Sequence, residues 1–132
     1  MSFAVPVYQA RRDHQIIMSW AKFAIEALQR GETVQIRPRG HSMKGKVNDG
    51  DLVTVAPCEP ETLEVGAILL VRVHGSDYLH LLKARDKERF QIGNNRGGIN
   101  GWVGKNNIYG KAIKVEPGAT KPLSKEALSQ AT

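Results

Sequence analysis

Arg37-Pro38-Arg39-Gly40-His41-Ser42-Met43, followed by Asn48-Asp49-Gly50-Asp51, is the stretch that decides how this chain reads. A glycine two residues before a serine lets the backbone bend sharply and approach a ligand closely. Such a bend exposes the hydroxyl and leaves main-chain amides nearby, where they can hold a developing oxyanion. Gly-x-Ser triplets are most often plain turns, so the reading depends on what surrounds this one.

Immediately upstream, Thr33-Val34-Gln35-Ile36 has the two-residue period of a strand entering the bend. Downstream, Asn48 to Asp51 is a second turn, and Leu52-Val53-Thr54-Val55-Ala56 a second strand, stopped by Pro57. Pro60 to Gly66 reads as a loop. Ile68 to Val73 and Tyr78 to Lys83 read as strands joined by His74-Gly75-Ser76-Asp77, a hairpin signal. Arg89 to Ile92 is a further short strand, and Gly93 to Gly101 a Gly- and Asn-rich surface loop. Trp102-Val103 and Ile108 to Val115 complete a sheet.

Ahead of the bend, the period is helical from Asp13 to Arg30. Ile17, Trp20, Ala21, Ala24, Ala27 and Leu28 recur at three- and four-residue spacing. Asp13 is a suitable N-cap and Gly31 a suitable stop. The Ala-rich stripe, opposite a face bearing both charge signs, favours docking on the domain's own sheet over a membrane surface. Residues 1–10 read as an extended arm, with Pro6 unable to donate to a ladder. From Glu116 onward the composition predicts a frayed tail with a short helix near Ser124 to Ser129. The expected architecture is mainly β with an N-terminal α-helix in a single domain. The arm and helix occupy 1–32, the β domain 33–115 and the tail 116–132.

The 132 residues suffice for one core and not for two ordinary domains. The densest apolar run, Ala67-Ile68-Leu69-Leu70-Val71, is a strand's length, far short of a bilayer span. The N-terminus lacks the basic leader and apolar region of a signal peptide. Cys58 is the only cysteine, which fits a reducing compartment and no thiolate metal cluster. The expectation is a cytoplasmic protein without a membrane anchor. A net charge of +6 raises the question of nucleic acid. The basic residues are dispersed, however, with Arg11-Arg12 the only adjacent pair, so a solvated basic surface is the favoured reading. Neither a phosphate-binding Gly loop nor metal-ligand spacing is present, and no cofactor or metal is expected.

Serine at neutral pH needs a base within hydrogen-bond reach. The four histidines and the lysines are the candidates. His14 lies near the helix start and His74 in a hairpin turn, both settings of exposed residues. His41 adjoins Ser42, but neighbouring side chains in extended backbone point apart. His80 lies inside a strand, on one face with Tyr78 and Leu82. Lys83 is an odd number of residues from His80 and so faces the other way in a regular strand, unless a β-bulge intervenes.

Gly40-His41-Ser42-Met43, then Asp49-Gly50-Asp51-Leu52-Val53, then Gly66-Ala67-Ile68-Leu69 resemble the Ser-box and following strands of the signal peptidase and LexA-type serine peptidases. Tyr78-Leu79-His80-Leu81-Leu82 stands where those families place the base strand. Gly93-Asn94-Asn95 matches their Gly-Asp-Asn loop, and Ile108-Tyr109-Gly110-Lys111 their final strand. The resemblance covers residues 33–115 and implies a LexA/signal-peptidase-like β-ribbon or half-barrel. It implies Ser42 as nucleophile and Gly40, His41 and Ser42 as the oxyanion turn, with Met43 packed beneath. The base position carries Lys in bacterial signal peptidases and LexA-type proteins. It carries His in the endoplasmic-reticulum-type and archaeal signal peptidases, which His80 matches. A His base titrates near neutrality without the deep burial a Lys base requires; Lys83 is the alternative base.

Two positions depart from the pattern. Asn100, preceded by Ile99, stands nearest to where His-type relatives carry an orienting Asp. Asn can hold a tautomer but cannot offset an imidazolium's charge, which implies lower activity. Asn94 replaces the loop Asp, whose structural role an amide fills in part. Neither Ala-Gly nor Cys-Gly, the self-cleavage bonds of LexA-type proteins, occurs in the chain. The leading expectation is a soluble serine endopeptidase acting through a Ser42–His80 dyad and an acyl-enzyme, with its peptide bound as an added strand. The alternatives are an inactive relative that binds a peptide or partner protein through the same groove, and a basic nucleic-acid-binding module.

Overall fold

Val53 and Val55 are fully buried while their neighbours in Leu52–Ala56 are half-exposed, so that strand lays one face on a core and turns the other toward solvent. The computed structural model describes residues 7–9 and 14–118, and side chains from Ala21 onward. In chain order the elements are β1 (Val7–Gln9), α1 (His14–Gln29), β2 (Val34–Arg37), β3 (Leu52–Ala56), β4 (Ile68–Val73), β5 (Ser76–Arg85), β6 (Arg89–Gly93), β7 (Ile99–Gly104) and β8 (Ile108–Glu116). They form one sheet in the order β1-β2-β3-β8-β4-β5-β6-β7. Only β1 and β2 run parallel; the strands from β2 to β7 across the sheet are antiparallel neighbours.

Register shifts interrupt the ladders at four places and bend the sheet. They fall between Thr54 and Val55 on β3, Leu70 and Val71 on β4, Leu82 and Ala84 on β5, and Ile92 and Gly93 on β6. Each extra residue kinks its strand and adds twist, and together they curl the sheet into a half-barrel. At the curled end, β7 comes back against the β4–β5 turn. A Cβ built on Gly101 would lie 3.0 Å from His74 Nε2, so the approach tolerates only glycine, which also holds φ at 145°. The turn itself is the two-residue pair His74-Gly75, both with positive φ, which matches the twist of a hairpin.

The curl creates two apolar cores. One lies between α1 and the sheet, joining Ala24, Ile25 and Leu28 to Val34, Val53, Leu70 and Leu79. The other fills the half-barrel with Leu69, Val71, Leu82, Phe90, Ile92 and Val103. β4 separates the two, which explains its continuous apolar run: Leu69, Leu70 and Val71 are all fully buried. The helix docks through its Ala-rich stripe as expected, and Gly31 at φ 88° ends it. The Glu32 amide there bonds back to Ala27 and that of Gly31 to Leu28.

Several boundaries differ from the sequence reading. Tyr78–Lys83 extends to Ser76–Arg85, and the four-residue turn contracts to His74-Gly75. The loop of residues 93–101 is shorter than its composition suggested, because β7 begins at Ile99 and takes in Asn100 and Gly101. A bulge and a positive-φ glycine look like a loop in sequence, although both belong to a strand here. β8 runs on to Glu116, and Gly118 donates its amide to the buried Asp51, so ordered structure continues past residue 115. Within the arm of residues 1–10, Val7–Gln9 pairs with β2. Pro6, the Asp13 cap and the helix near Ser124 to Ser129 lie outside the described residues. Among the described residues no helix is long and apolar enough to cross a membrane.

Gly110 sits where β8 passes closest to its neighbours. A Cβ there would lie 2.8 Å from both the Ala56 carbonyl oxygen and Val55 Cγ1, and 3.1 Å from Leu28 Cδ2. Gly110→Ala is therefore expected to cost about 1–3 kcal/mol of stability. Urea unfolding should show a lowered midpoint with an unchanged slope.

Candidate active site

Two buried apolar residues, Met43 and Val47, pin the bend that follows β2 into the helix-side core. Between and around them the chain folds back on itself, with the Lys44 amide bonded to the His41 carbonyl and the Val47 amide to that of Met43. Ser42 is left exposed at the rim.

Asn48 to Asp51 form the latch of this bend. Asp49 accepts the Gly40 amide at 2.7 Å and the Arg39 guanidinium at 3.3 Å. These contacts, the Gly40 N–H foremost, hold the Asp49 carboxyl below its ordinary pKa. Asn48 Oδ1 accepts from the Gly45 amide, and buried Asp51 accepts from the Asn48 amide at 2.8 Å. The resemblance assigned the Gly40 amide to an oxyanion turn, but that donor is already taken by Asp49. Of the amides of Gly40, His41 and Ser42, those of His41 and Ser42 have no acceptor among the described residues and are left open.

His80 lies in β5, with only 6 % of its surface exposed. Its Nε2 stands 3.1 Å from Ser42 Oγ, and its Nδ1 stands 2.7 Å from Asn100 Oδ1. An amide oxygen only accepts, so Nδ1 carries the proton and Nε2 presents a lone pair to the serine hydroxyl. Tyr78 stacks on the ring at 4.7 Å between centroids and fixes its plane. Burial pulls the His80 pKa below the ordinary imidazole value, against the opposing effect of the Asn100 bond. The ring is consequently neutral at pH 7, as a proton acceptor must be.

Asn100 reaches His80 because of a bulge. β6 pairs Ile92 with Gly101 and Gly93 with Ile99, leaving Asn100 as the extra residue. Lys83 is likewise the extra residue of the β5–β6 shift, so strand alternation does not by itself decide where it points. Its contacts decide it. The Lys83 stem crosses Gly93, where a built Cβ would lie 3.0 Å from Cγ and Cε, and Lys83 makes no hydrogen bond to Ser42.

The loop between β6 and β7 is bound to the serine bend. Asn94 Oδ1 accepts the amides of Arg96 and Gly98 at 2.8 and 2.9 Å, filling the acceptor role assigned to an Asp. Asn95, matched from sequence only as part of the Gly93-Asn94-Asn95 loop and given no role there, clamps the bend. Its amide donates to the Ser42 carbonyl and its side chain Nδ2 to the Lys44 carbonyl, both at 2.9 Å. The pair of adjacent asparagines was visible in sequence; a partner 51 positions away was not.

The remaining histidines and the cysteine stand apart from this pair. His41 is exposed, His74 packs against Gly101, and His14 has no described side chain. Burial pushes the Cys58 thiol up, away from a reactive thiolate. Among the described residues no group of three or more His, Cys, Asp or Glu side chains could hold a metal ion. Beside Ser42 a cleft of about 150 Å³ opens between residues 38–43 and 77–80, lined by Pro38, Met43, Val47 and Leu79 with Arg39 and Asp77. No protein family matches the chain, and no curated protein matches it significantly.

Two outcomes check this geometry. Nitrogen-15 NMR of His80 should report a proton on Nδ1 in the neutral ring and a titration midpoint below the unperturbed value of about 6.5. Asn95→Ala should cost about 1 kcal/mol. It should also speed amide hydrogen exchange across residues 42–47, a region where a loss of stability alone would not concentrate the change.

Proposed function

We propose that this chain is a serine endopeptidase resembling the signal peptidase and LexA-type clan, with Ser42 as nucleophile and His80 as general base. The observation that carries the reading is the continuous arrangement Ser42 Oγ, His80 Nε2, His80 Nδ1, Asn100 Oδ1. Ser42 attacks the scissile carbonyl as its proton passes to Nε2. The amides of His41 and Ser42 face the oxyanion, and Asn100 keeps the ring in the required tautomer. Nε2–H then protonates the leaving amine, and water, activated by the same nitrogen, releases the acyl group.

The substrate adds as an extended strand. β6 pairs with β5 only from Leu81 onward, so Ser76–His80 presents a backbone edge beside the cleft with no strand on it among the described residues. In this reading the half-barrel is that of the LexA-like clan, and the single cysteine fits a cytoplasmic setting.

One observation favours a second reading, an inactive relative that holds a peptide in the same cleft. Asn100 supplies no negative charge to the imidazolium that forms during attack. Incubation with a diverse peptide library, read by mass spectrometry, decides between them. New termini made by wild type and absent with Ser42→Ala support the peptidase; identical libraries after both support the binder. If the peptidase reading holds, the rate climbs as pH rises through the lowered His80 pKa, since the ring must lose its proton to act. Asn100→Asp should raise that pKa and move the acid limb to higher pH. Above it the rate should increase about tenfold or more, because a carboxylate stabilises the imidazolium.

A further inference from the structure

The acids around the serine bend are all engaged. Asp49 holds the Gly40 amide and Arg39, Asp51 is buried on the amides of Asn48 and Gly118, and Asp77 is paired with Arg72 at 2.8 Å. The cations are not. Lys44 and Lys46 are exposed on the turn that follows Ser42, and neither has an acidic partner among the described residues. The same holds for Arg96. It directly follows Asn95, whose bonds to the Ser42 and Lys44 carbonyls bring the two backbones side by side. Arg39 lines the cleft as well, with its charge paired to Asp49.

Like charges gathered on one rim repel one another and attract an anionic ligand. Elsewhere among the described residues, Lys87 and Lys105 line a cleft that Glu61 and Glu88 line with them. Lys114 has Glu116, Arg89 has Asp86 and lies over Trp102, and Arg85 is spent on main-chain carbonyls under the half-barrel. Three cations unpaired among the described residues thus sit on the turn that follows Ser42 and on the loop clamped to it.

We infer that the site selects peptides carrying Asp or Glu next to the segment seated at Ser42, with Lys44, Lys46 and Arg96 reading the acidic residues. The inference rests on the peptide-binding cleft of the preceding section and names the class of peptide it takes. A peptide is favoured over nucleic acid because the rim adjoins a cleft with apolar walls and an unpaired strand edge. The aromatic residue that lines the cleft, Tyr78, is stacked on His80 and does not offer a run of rings on which bases could stack.

The test uses Ser42→Ala, which retains the cleft, with a fluorescent Glu-rich peptide and its Gln counterpart, read by anisotropy. The Glu-rich peptide should bind about tenfold more tightly at low salt, with the difference shrinking as salt is raised. Adding Lys44→Glu, Lys46→Glu and Arg96→Glu together should abolish or reverse the preference. The three Gln substitutions, milder for folding, should reduce it. Equal affinity for the two peptides overturns the inference. So does tighter binding of a DNA oligonucleotide or of phosphatidylserine vesicles of matched charge, which would reassign the rim to those partners. If the charge preference appears while wild type cuts nothing in the library, acidic-peptide recognition stands and the peptidase reading falls.

Discussion

The hydrogen bond from His80 Nδ1 to Asn100 decides which ring nitrogen faces Ser42, and the chemistry of the site follows from that choice. Without it, the neutral ring would be free to place its proton on Nε2 and offer the serine a donor in place of an acceptor. Burial alone would keep the ring uncharged but would not select the tautomer. The bond exists because β7 carries one residue more than the strand it pairs with, and the surplus residue is Asn100. A local irregularity in a sheet therefore sets the protonation pattern of the site.

The other half of the site is held by polar contacts to main chain. Met43 and Val47 anchor the bend in the core, but Asp49, Asn48 and Asn95 fix its path through the amides of Gly40 and Gly45 and the carbonyls of Ser42 and Lys44. Each such bond is worth about 1 kcal/mol net, modest against the core. Their effect is on position: they come from two sides of the bend, so the hydroxyl cannot shift without breaking several together. This shape also explains why Asp49 occupies the Gly40 amide. A donor used to hold the bend is not available to hold an oxyanion.

Much of this was legible in the sequence because it depends on short-range order. The period-two runs of β3 and β4, the helical stripe through Ala21, Ala24 and Leu28, and the His74-Gly75 turn each carry their own signal. Ser42 and His80 were identifiable from motif order along the chain. What the sequence concealed were features that depend on two strands together. The bulges that re-aim Asn100 and displace Lys83 are properties of pairing, and the Asn95 clamp joins residues far apart in the chain. The start of β7 was hidden for the same reason, since Ile99-Asn100-Gly101 has the composition of a loop and becomes strand only against β6 and the β4–β5 turn.

The position of β8 has a bearing on how the molecule comes into being. It is the last strand among the described residues, yet it lies between β3 and β4, so in the sheet the portion bearing Ser42 and the portion bearing His80 are joined through it. On the ribosome, β2–β3 and the β4–β7 meander emerge first, each with a bare edge awaiting the same late partner. Ser42 and His80 belong to different halves, and the sheet that joins them is completed by residues 108–116. The centre of the sheet is thus the part that a chain emerging from its N-terminus supplies late.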